Sequence, residues 1–241
     1  MSAQTSLIKS IIEALISAGI ELAKEYGPQL WETISNYWAK GKTLAVIGPT
    51  ACGKDSLIAR LQGKPVPDIH INTGMPEDVA AYKVEYPIEG GKKISFTANK
   101  SRNVGGEEPD RDEHWADVCQ NADVIFYMLD AQKVHATPTP TLSRFKNDMR
   151  WLAAELGNKN KFKLIIVLNK FDLLLGEEGL ENFEKVMMEV GAPMINEIKN
   201  AAQKTLGVKK SHLGKVLPLC TTDGYLFGQL FPPLLLAAAE K

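Results

Sequence analysis

The sequence predicts an α/β fold in which helices cover both faces of a mostly parallel, six-stranded sheet. From residue 41 onward, apolar runs of strand length alternate with helical patterns, which is the order expected for parallel strands joined by helical crossovers. Two of the apolar runs, 124–129 and 164–168, contain no charged residue, as is typical of strands buried on both faces. The 241 residues suffice for one such domain with an appended element.

Each predicted element follows from its local pattern. Short apolar or alternating segments predict the strands, which we place at 43–47, 82–88, 93–98, 123–129, 163–168 and 215–219. Longer segments with helical spacing predict the helices, at 54–62, 139–156, 178–204 and within 225–240. Glu89-Gly90-Gly91 separates the second and third strands, which are therefore expected to form a hairpin.

Residues 1–40 are predicted to be an N-terminal amphipathic helical extension, and residues 41–241 the globular domain. Apolar residues recur at helical spacing through 7–22, and a second short helix is predicted over 29–39. Packing of both helices on the domain, or contact with a protein partner, is favoured. The alternative is a peripheral membrane contact through residues 7–22, but their polar face carries few lysines and balancing glutamates, which suits anionic lipid poorly.

Charge and composition exclude several classes of partner and location. The net charge is −1, so no overall basic field indicates a nucleic-acid partner. The three cysteines lie far apart and no signal peptide is recognisable, which predicts a cytoplasmic protein. The four histidines do not have metal-ligand spacing, and no apolar run reaches the ~20 residues that span a bilayer.

The most informative segment lies between a predicted strand and a predicted helix. It reads Gly48-Pro49-Thr50-Ala51-Cys52-Gly53-Lys54-Asp55 and is followed by Ser56. Strand, glycine-bounded loop, Gly-Lys and helix form the context of a phosphate-binding P-loop, in which backbone N–H groups and the helix N-terminus face the anion. Lys54 is expected to place a cation over the outer phosphates.

The P-loop departs from its usual pattern at the last position. A Ser or Thr normally follows Gly-Lys and gives its hydroxyl to Mg²⁺, but here the residue is Asp55, with Ser56 one step later. Negative charge beside phosphates weakens binding unless a cation lies between them.

A second motif follows the predicted strand 163–168 and reads Asn169-Lys170-Phe171-Asp172. The Asp172 carboxylate can accept hydrogen bonds from N1–H and the exocyclic amine of guanine together, a match that adenine does not offer. Asn169 can bond the polar edge of the base or tether the P-loop, and the Lys170 stem can lie over the ring. With the P-loop upstream, this motif predicts guanine recognition.

On these motifs the chain resembles the P-loop GTPases of the Ras/Arf-like superfamily over about residues 41–231. The strand at 93–97 followed by Asn103-Val104-Gly105-Gly106 is similar to a strand and an Asp-Val-Gly-Gly-Gln motif of Arf-like members. The segment Cys220-Thr221-Thr222 is a looser match to the loop whose backbone supports the base. The resemblance implies a G domain (a guanine-nucleotide-binding domain), GTP or GDP and Mg²⁺ as cofactors, and a protein effector or regulator as partner.

The resemblance also implies roles for single residues. Thr73, within a first switch segment at 65–80, is placed as the threonine that senses the γ-phosphate and binds Mg²⁺, together with Asp55 and Asn103. Gly106 belongs to the nucleotide-binding loop, and Glu107 takes the position of the water-orienting glutamine. A carboxylate accepts from a water but cannot donate to the γ-phosphate, so slow hydrolysis is expected.

In the family, the two neighbouring positions at Mg²⁺ hold a neutral hydroxyl on the P-loop and the Asp of the Asp-Val-Gly-Gly-Gln motif. In this chain the carboxylate is on the P-loop, at Asp55, and the neutral group is Asn103. We hypothesise a functional exchanged site, in which the Asn103 amide donates to Asp55. The alternative is a decayed site in a nucleotide-binding scaffold. A third class is a small-molecule kinase, because some kinases carry Gly-Lys-Asp-Ser in the P-loop.

Overall fold

The computed structural model describes residues 32, 34, 36–66, 77–79, 82–87, 93–99, 101–103, 108–156, 162–177, 179–207 and 212–239, with the backbone alone between 77 and 103. Its eight strands form one sheet. They are β1 (Lys42–Ile47), β2 (Glu77–Val79), β3 (Tyr82–Pro87), β4 (Lys93–Asn99), β5 (Ser101–Asn103), β6 (Val124–Asp130), β7 (Lys163–Asn169) and β8 (Leu213–Pro218).

The sheet is parallel through its centre and antiparallel at one end. Its order is β2-β5-β1-β6-β7-β8, and β4 also pairs with β1 while β3 pairs with β4. The pairs β1–β6, β6–β7 and β7–β8 are parallel, and β3–β4 is antiparallel, which confirms the predicted hairpin. Among the described residues the sheet has eight strands rather than the predicted six, because β2 and β5 are three-residue strands too short to show a sequence pattern.

Helices connect the strands and close the domain. They are α1 (Lys54–Leu61), α2 (Glu108–Asp110), α3 (Ala116–Gln120), α4 (Ala131–Ala136), α5 (Pro138–Glu155), α6 (Asp172–Leu175), α7 (Phe183–Val186), α8 (Ala192–Leu206) and α9 (Gly224–Ala239). The predicted helix 178–204 is divided into a 3-10 turn at Gly179–Asn182, α7, a π-helical turn at Met187–Gly191, and α8. Pro193 lacks the amide hydrogen that a continuous α-helix needs at this point.

The core lies on both sides of the central strands. Every residue of β6 is buried, and so is every residue of β7 after Lys163, which requires cover on both faces of the sheet. Ile34 and Trp38 are fully buried in the same core, and Trp38 Nε1 donates to the Leu235 carbonyl of α9 at 3.3 Å. The described part of the second predicted N-terminal helix therefore packs on the domain.

Residues 7–22, the predicted amphipathic helix, lie outside the described residues, and a domain boundary at residue 40 stays a prediction. In the described ranges, no helix combines the length and the apolar character needed to cross a membrane.

A buried carboxylate joins α5 to the centre of the sheet. Asp148 is fully buried and accepts hydrogen bonds from the Tyr127 hydroxyl at 2.6 Å, Arg111 Nη1 at 3.0 Å and Arg144 Nε at 2.9 Å. Burial, and then the Asp148 charge, raises the pKa of Tyr127 well above its usual range, so its hydroxyl stays protonated and donates. Arg111 begins the π-helical turn Arg111–Trp115, and Trp115 packs edge-on against the Tyr127 ring. The π-helical turn Arg111–Trp115 is thereby fixed to α5.

We expect Asp148→Ala to lower the free energy of unfolding by about 3–5 kcal/mol, because it leaves two arginines and a tyrosine hydroxyl without their buried acceptor. Tyr127→Phe removes a single hydrogen bond to a charged group and is expected to cost about 1.5–3 kcal/mol. Urea denaturation measures both, with Asp117→Ala at an exposed position of α3 as the control. An Asp148→Ala cost no larger than that of Tyr127→Phe would contradict this account.

Candidate functional site

The P-loop, between β1 and α1, passes too close to its neighbours for side chains at its two glycines. Gly48 has φ +143°, and a Cβ there would lie 2.3 Å from the Met128 carbonyl oxygen on β6. Gly53 has φ +94°, and a Cβ there would lie 2.2 Å from Nδ2 of Asn169. These approaches explain why the motif requires glycine at both ends.

Lys54 is held against the loop that precedes it. Its Nζ donates to the carbonyls of Gly48 at 3.0 Å and Pro49 at 3.2 Å, and the residue is 7% exposed. The cation thus lies against the loop, beside the N-terminus of α1. This is the arrangement that an anionic phosphate chain requires.

Asn169 connects the two predicted motifs. Its side chain is fully buried, and Nδ2 donates to the Cys52 carbonyl at 2.8 Å and to Thr221 Oγ1 at 3.1 Å. Of the two roles that the sequence left open, the structure shows the tether to the P-loop. The same amide also reaches the loop after β8, so one side chain joins three segments.

Lys170 has a partner that the sequence analysis missed. Its Nζ forms an ion pair with Asp130 Oδ2 at 2.8 Å, and its backbone has φ +60°. Asp130 is 6% exposed, ends β6 directly beside Asn169, and accepts from the Lys133 N–H at the start of α4. The sequence did carry a signal for this ion pair. Asp130 follows the predicted strand 123–129, and the carboxyl ends of neighbouring parallel strands lie at the same edge of a sheet.

Several buried polar atoms of the site have no hydrogen-bond partner among the described residues. Asp172 Oδ2 accepts from the Thr222 hydroxyl at 3.4 Å, whereas Asp172 Oδ1 is buried without a partner. Thr50 Oγ1 in the P-loop and Asn169 Oδ1 are likewise buried without a hydrogen-bond partner among the described residues. Buried polar atoms are normally satisfied, so such a group of them fits a polar ligand. A guanine base offers adjacent donors for Asp172, and a nucleotide fits the site.

The loop after β8 is ordered by short-range contacts. The Cys220 sulfur lies 3.4 Å from both the Thr222 hydroxyl and the Asp223 N–H, and Phe171 N–H donates to the Leu219 carbonyl at 3.1 Å. Burial raises the pKa of the Cys220 thiol, and also that of Cys52 in the P-loop. Both cysteines are therefore poor nucleophiles.

The described structure does not assemble the predicted metal and catalytic residues. Thr73, Gly106 and Glu107 lie outside the described residues. Asn103 ends β5, where its backbone pairs with Val46, two positions before Gly48, and Asp55 and Ser56 lie in the first turn of α1. Within the described ranges, no group of three or more histidine, cysteine or acidic residues could hold a metal ion. The exchanged Mg²⁺ site stays a prediction.

Fold and site together define a P-loop nucleotide-binding protein. No family model matches the chain. It is 30% identical over 140 residues, 57% of its length, to the human mitochondrial 5-taurinomethyluridine-[tRNA] synthase subunit GTPB3, and 28% identical over 137 residues, 56% of its length, to the rat protein of that name. The match spans only 27% of either relative.

Toc33 from Arabidopsis thaliana, in a dimerization-deficient mutant form, has a similar fold. The TM-score is 0.52 and the sequence identity 15%, with 88% of this chain and 91% of that chain covered.

These relatives confirm the resemblance to the P-loop GTPase superfamily that the P-loop and Asn-Lys-x-Asp motifs indicated. Similarity to this superfamily implies binding of a guanine nucleotide.

We expect Lys54→Ala to weaken binding of GDP and GTP by roughly ten- to a hundredfold, because it removes a charge-assisted contact to the phosphates. Isothermal titration calorimetry measures the affinity. Lys64→Ala, at an exposed position just beyond α1, is the matched control and should bind as the wild type does. Equal affinities of the two variants would contradict the assignment of Lys54.

Proposed function

We propose that this chain is a guanine-nucleotide-binding switch protein that hydrolyses GTP slowly and acts through a protein partner. The observation that carries the proposal is the Asp172 carboxylate, of which one oxygen is buried and unpartnered in the described structure. It lies in the same motif as Asn169, which is bonded to the P-loop. Base and phosphate recognition are therefore supported by one connected site.

Different residues of the site bind the base and the phosphates. Asp172 accepts from the guanine edge, and the Lys170 stem, steadied by its ion pair with Asp130, lies against the ring. Lys54 and the N–H groups of the P-loop bind the phosphates. Asn169 connects the base-binding motif to the P-loop and so fixes their relative position.

A bound Mg²⁺ would supply positive charge that offsets the charge of the outer phosphates. We assign Asp55, Asn103 and Thr73 to hold it. Support for this comes from the backbone, since Asp55 is the second residue of α1, next to Lys54, and Asn103 ends β5, which pairs with β1. Glu107 accepts a hydrogen bond from the attacking water, but its charge opposes the γ-phosphate, which is why we propose slow hydrolysis.

We propose a protein effector or regulator as the partner. The net charge of −1 offers no overall basic field for nucleic acid. Residues 7–22 are the proposed contact for that partner if they do not pack on the domain, with a membrane surface as the other outcome of a liposome co-sedimentation test. We propose a cytoplasmic location.

Base choice tests the proposal directly. We expect the wild type to bind GTP far more tightly than ATP, because a mismatched base leaves the buried Asp172 Oδ1 unpaired. Asp172→Asn should weaken GTP binding by about tenfold or more and shift preference toward XTP (xanthosine triphosphate), whose carbonyl at position 2 pairs with the new amide. Competition binding measures all three nucleotides, and Asp117→Asn, the same change at an exposed position of α3, is the control. Equal wild-type affinity for ATP and GTP would refute the proposal.

The exchanged metal pair gives a second prediction. Asp55→Ser removes the carboxylate, and Asn103→Asp places two carboxylates together, which repel each other. We expect each single variant to lose Mg²⁺-dependent GTP binding, and the double variant, which restores the usual family arrangement, to retain it. The coupling in a double-mutant cycle should fall within about 0.5–3 kcal/mol.

Calorimetry with Mg²⁺ and with EDTA measures this coupling. Additive effects of the single changes, or wild-type binding that is indifferent to EDTA, would instead favour a scaffold with a decayed metal site. The similarity to GTPase-family proteins favours this proposal over a small-molecule kinase.

A further inference from the structure

Arg60 links the P-loop helix to the loop after β8. It lies one position before the end of α1, where a basic residue suits the helix dipole. Its hydrogen bonds nevertheless leave the helix. Nε donates to the Thr221 carbonyl at 2.9 Å, and Nη2 donates to the carbonyl of Thr222. One planar guanidinium thus holds two consecutive carbonyls of a segment more than 160 residues away in the sequence.

Both residues that Arg60 holds contact the guanine motif. Thr221 Oγ1 accepts from Asn169 Nδ2 at 3.1 Å, and the Thr222 hydroxyl donates to Asp172 Oδ2 at 3.4 Å. Arg60 fixes the backbone of both threonines, and the threonine side chains contact the amide and the carboxylate of the motif. Thr221 is also 2% exposed, so it has little freedom to take another position.

Both ends of α1 therefore contact the site. Lys54 begins the helix at the P-loop, and Arg60 lies six residues later, about 9 Å along the axis. At that end, a Cβ added at Gly224 would lie 3.4 Å from Nη1 of Arg60, so the guanidinium packs closely against the first residue of α9.

We infer that Arg60 is a positioning residue for the base subsite. It holds the peptide of Thr221 and Thr222 in the orientation that presents Asp172 to a guanine base, and it leaves the phosphate subsite unaffected. This inference rests on the proposed guanine-nucleotide binding. It assigns to the C-terminal end of the P-loop helix a part in base recognition in addition to the part that its N-terminal end takes in phosphate binding.

The test separates base binding from phosphate binding. Affinities of wild type, Arg60→Ala and Arg60→Lys are measured by calorimetry for GDP, ADP and inorganic pyrophosphate, with Mg²⁺ present. We expect Arg60→Ala to weaken GDP binding by roughly ten- to a hundredfold, while pyrophosphate binding stays unchanged. The preference for GDP over ADP should fall with it. Arg60→Lys, which can reach one carbonyl but cannot fork to two, should lose less.

Arg150→Ala is the matched control, because Arg150 is an exposed arginine of α5 that bonds to Asn147 within its own helix. Circular dichroism and thermal melting establish that the variants fold, and if Arg60→Ala does not, Arg60→Lys carries the test alone. Unchanged GDP affinity, or equal losses for GDP and pyrophosphate, would overturn the inference. A wild type that binds pyrophosphate but does not prefer GDP to ADP would refute the proposed function itself, and the inference with it.

Discussion

The buried amide of Asn169 is the contact on which the rest of the site depends. It donates to the P-loop carbonyl of Cys52 and to the Thr221 hydroxyl, and it occupies the space that a side chain at residue 53 would need. Removal of either hydrogen bond would leave a fully buried polar group unpaired, which costs about 1–3 kcal/mol. The position of the P-loop is therefore set by a residue that follows it by more than 110 positions.

This close packing explains the unusual backbone of the site. Gly48 and Gly53 adopt positive φ beside atoms that exclude a Cβ, and Ala51 and Lys170 adopt positive φ despite having one. Such conformations cost about 1–3 kcal/mol for a residue other than glycine and persist only where the surroundings enforce them. Here the ion pair of Lys170 with Asp130 is one such constraint, and it lies at the same sheet edge.

The parallel sheet brings these constraints together. β1, β6 and β7 end at one edge, and the residues at or just beyond their ends are Gly48, Asp130 and Asn169. β6 and β7 are buried almost throughout and pair with each other, so the loops that leave them share a common frame. Arg60 and Asp148 extend that frame, the first to the loop after β8 and the second to the segment after β5. Ligand recognition thus rests on side chains that mostly hold backbone in place.

The sequence by itself determined the fold class, the P-loop and the Asn-Lys-x-Asp motif, because each depends on residues that are close together in the chain. Strand alternation predicted the parallel core and the hairpin β3–β4, whereas β2 and β5 are too short to leave a periodic signal. The division of the helix before α8 could not be placed, since proline is tolerated near a helix start as well as at a break.

Only the tertiary structure decided which of its possible partners each polar side chain takes. Asn169 could have faced the base or the P-loop. Its Nδ2 bonds the P-loop because Gly53, which has no side chain, lets the Cys52 carbonyl come within hydrogen-bond distance. Arg60 reads in the sequence as an ordinary last-turn arginine, and Asp130 as the end of a strand. Their roles arise from contacts across 40 to more than 160 residues, which local spacing does not encode.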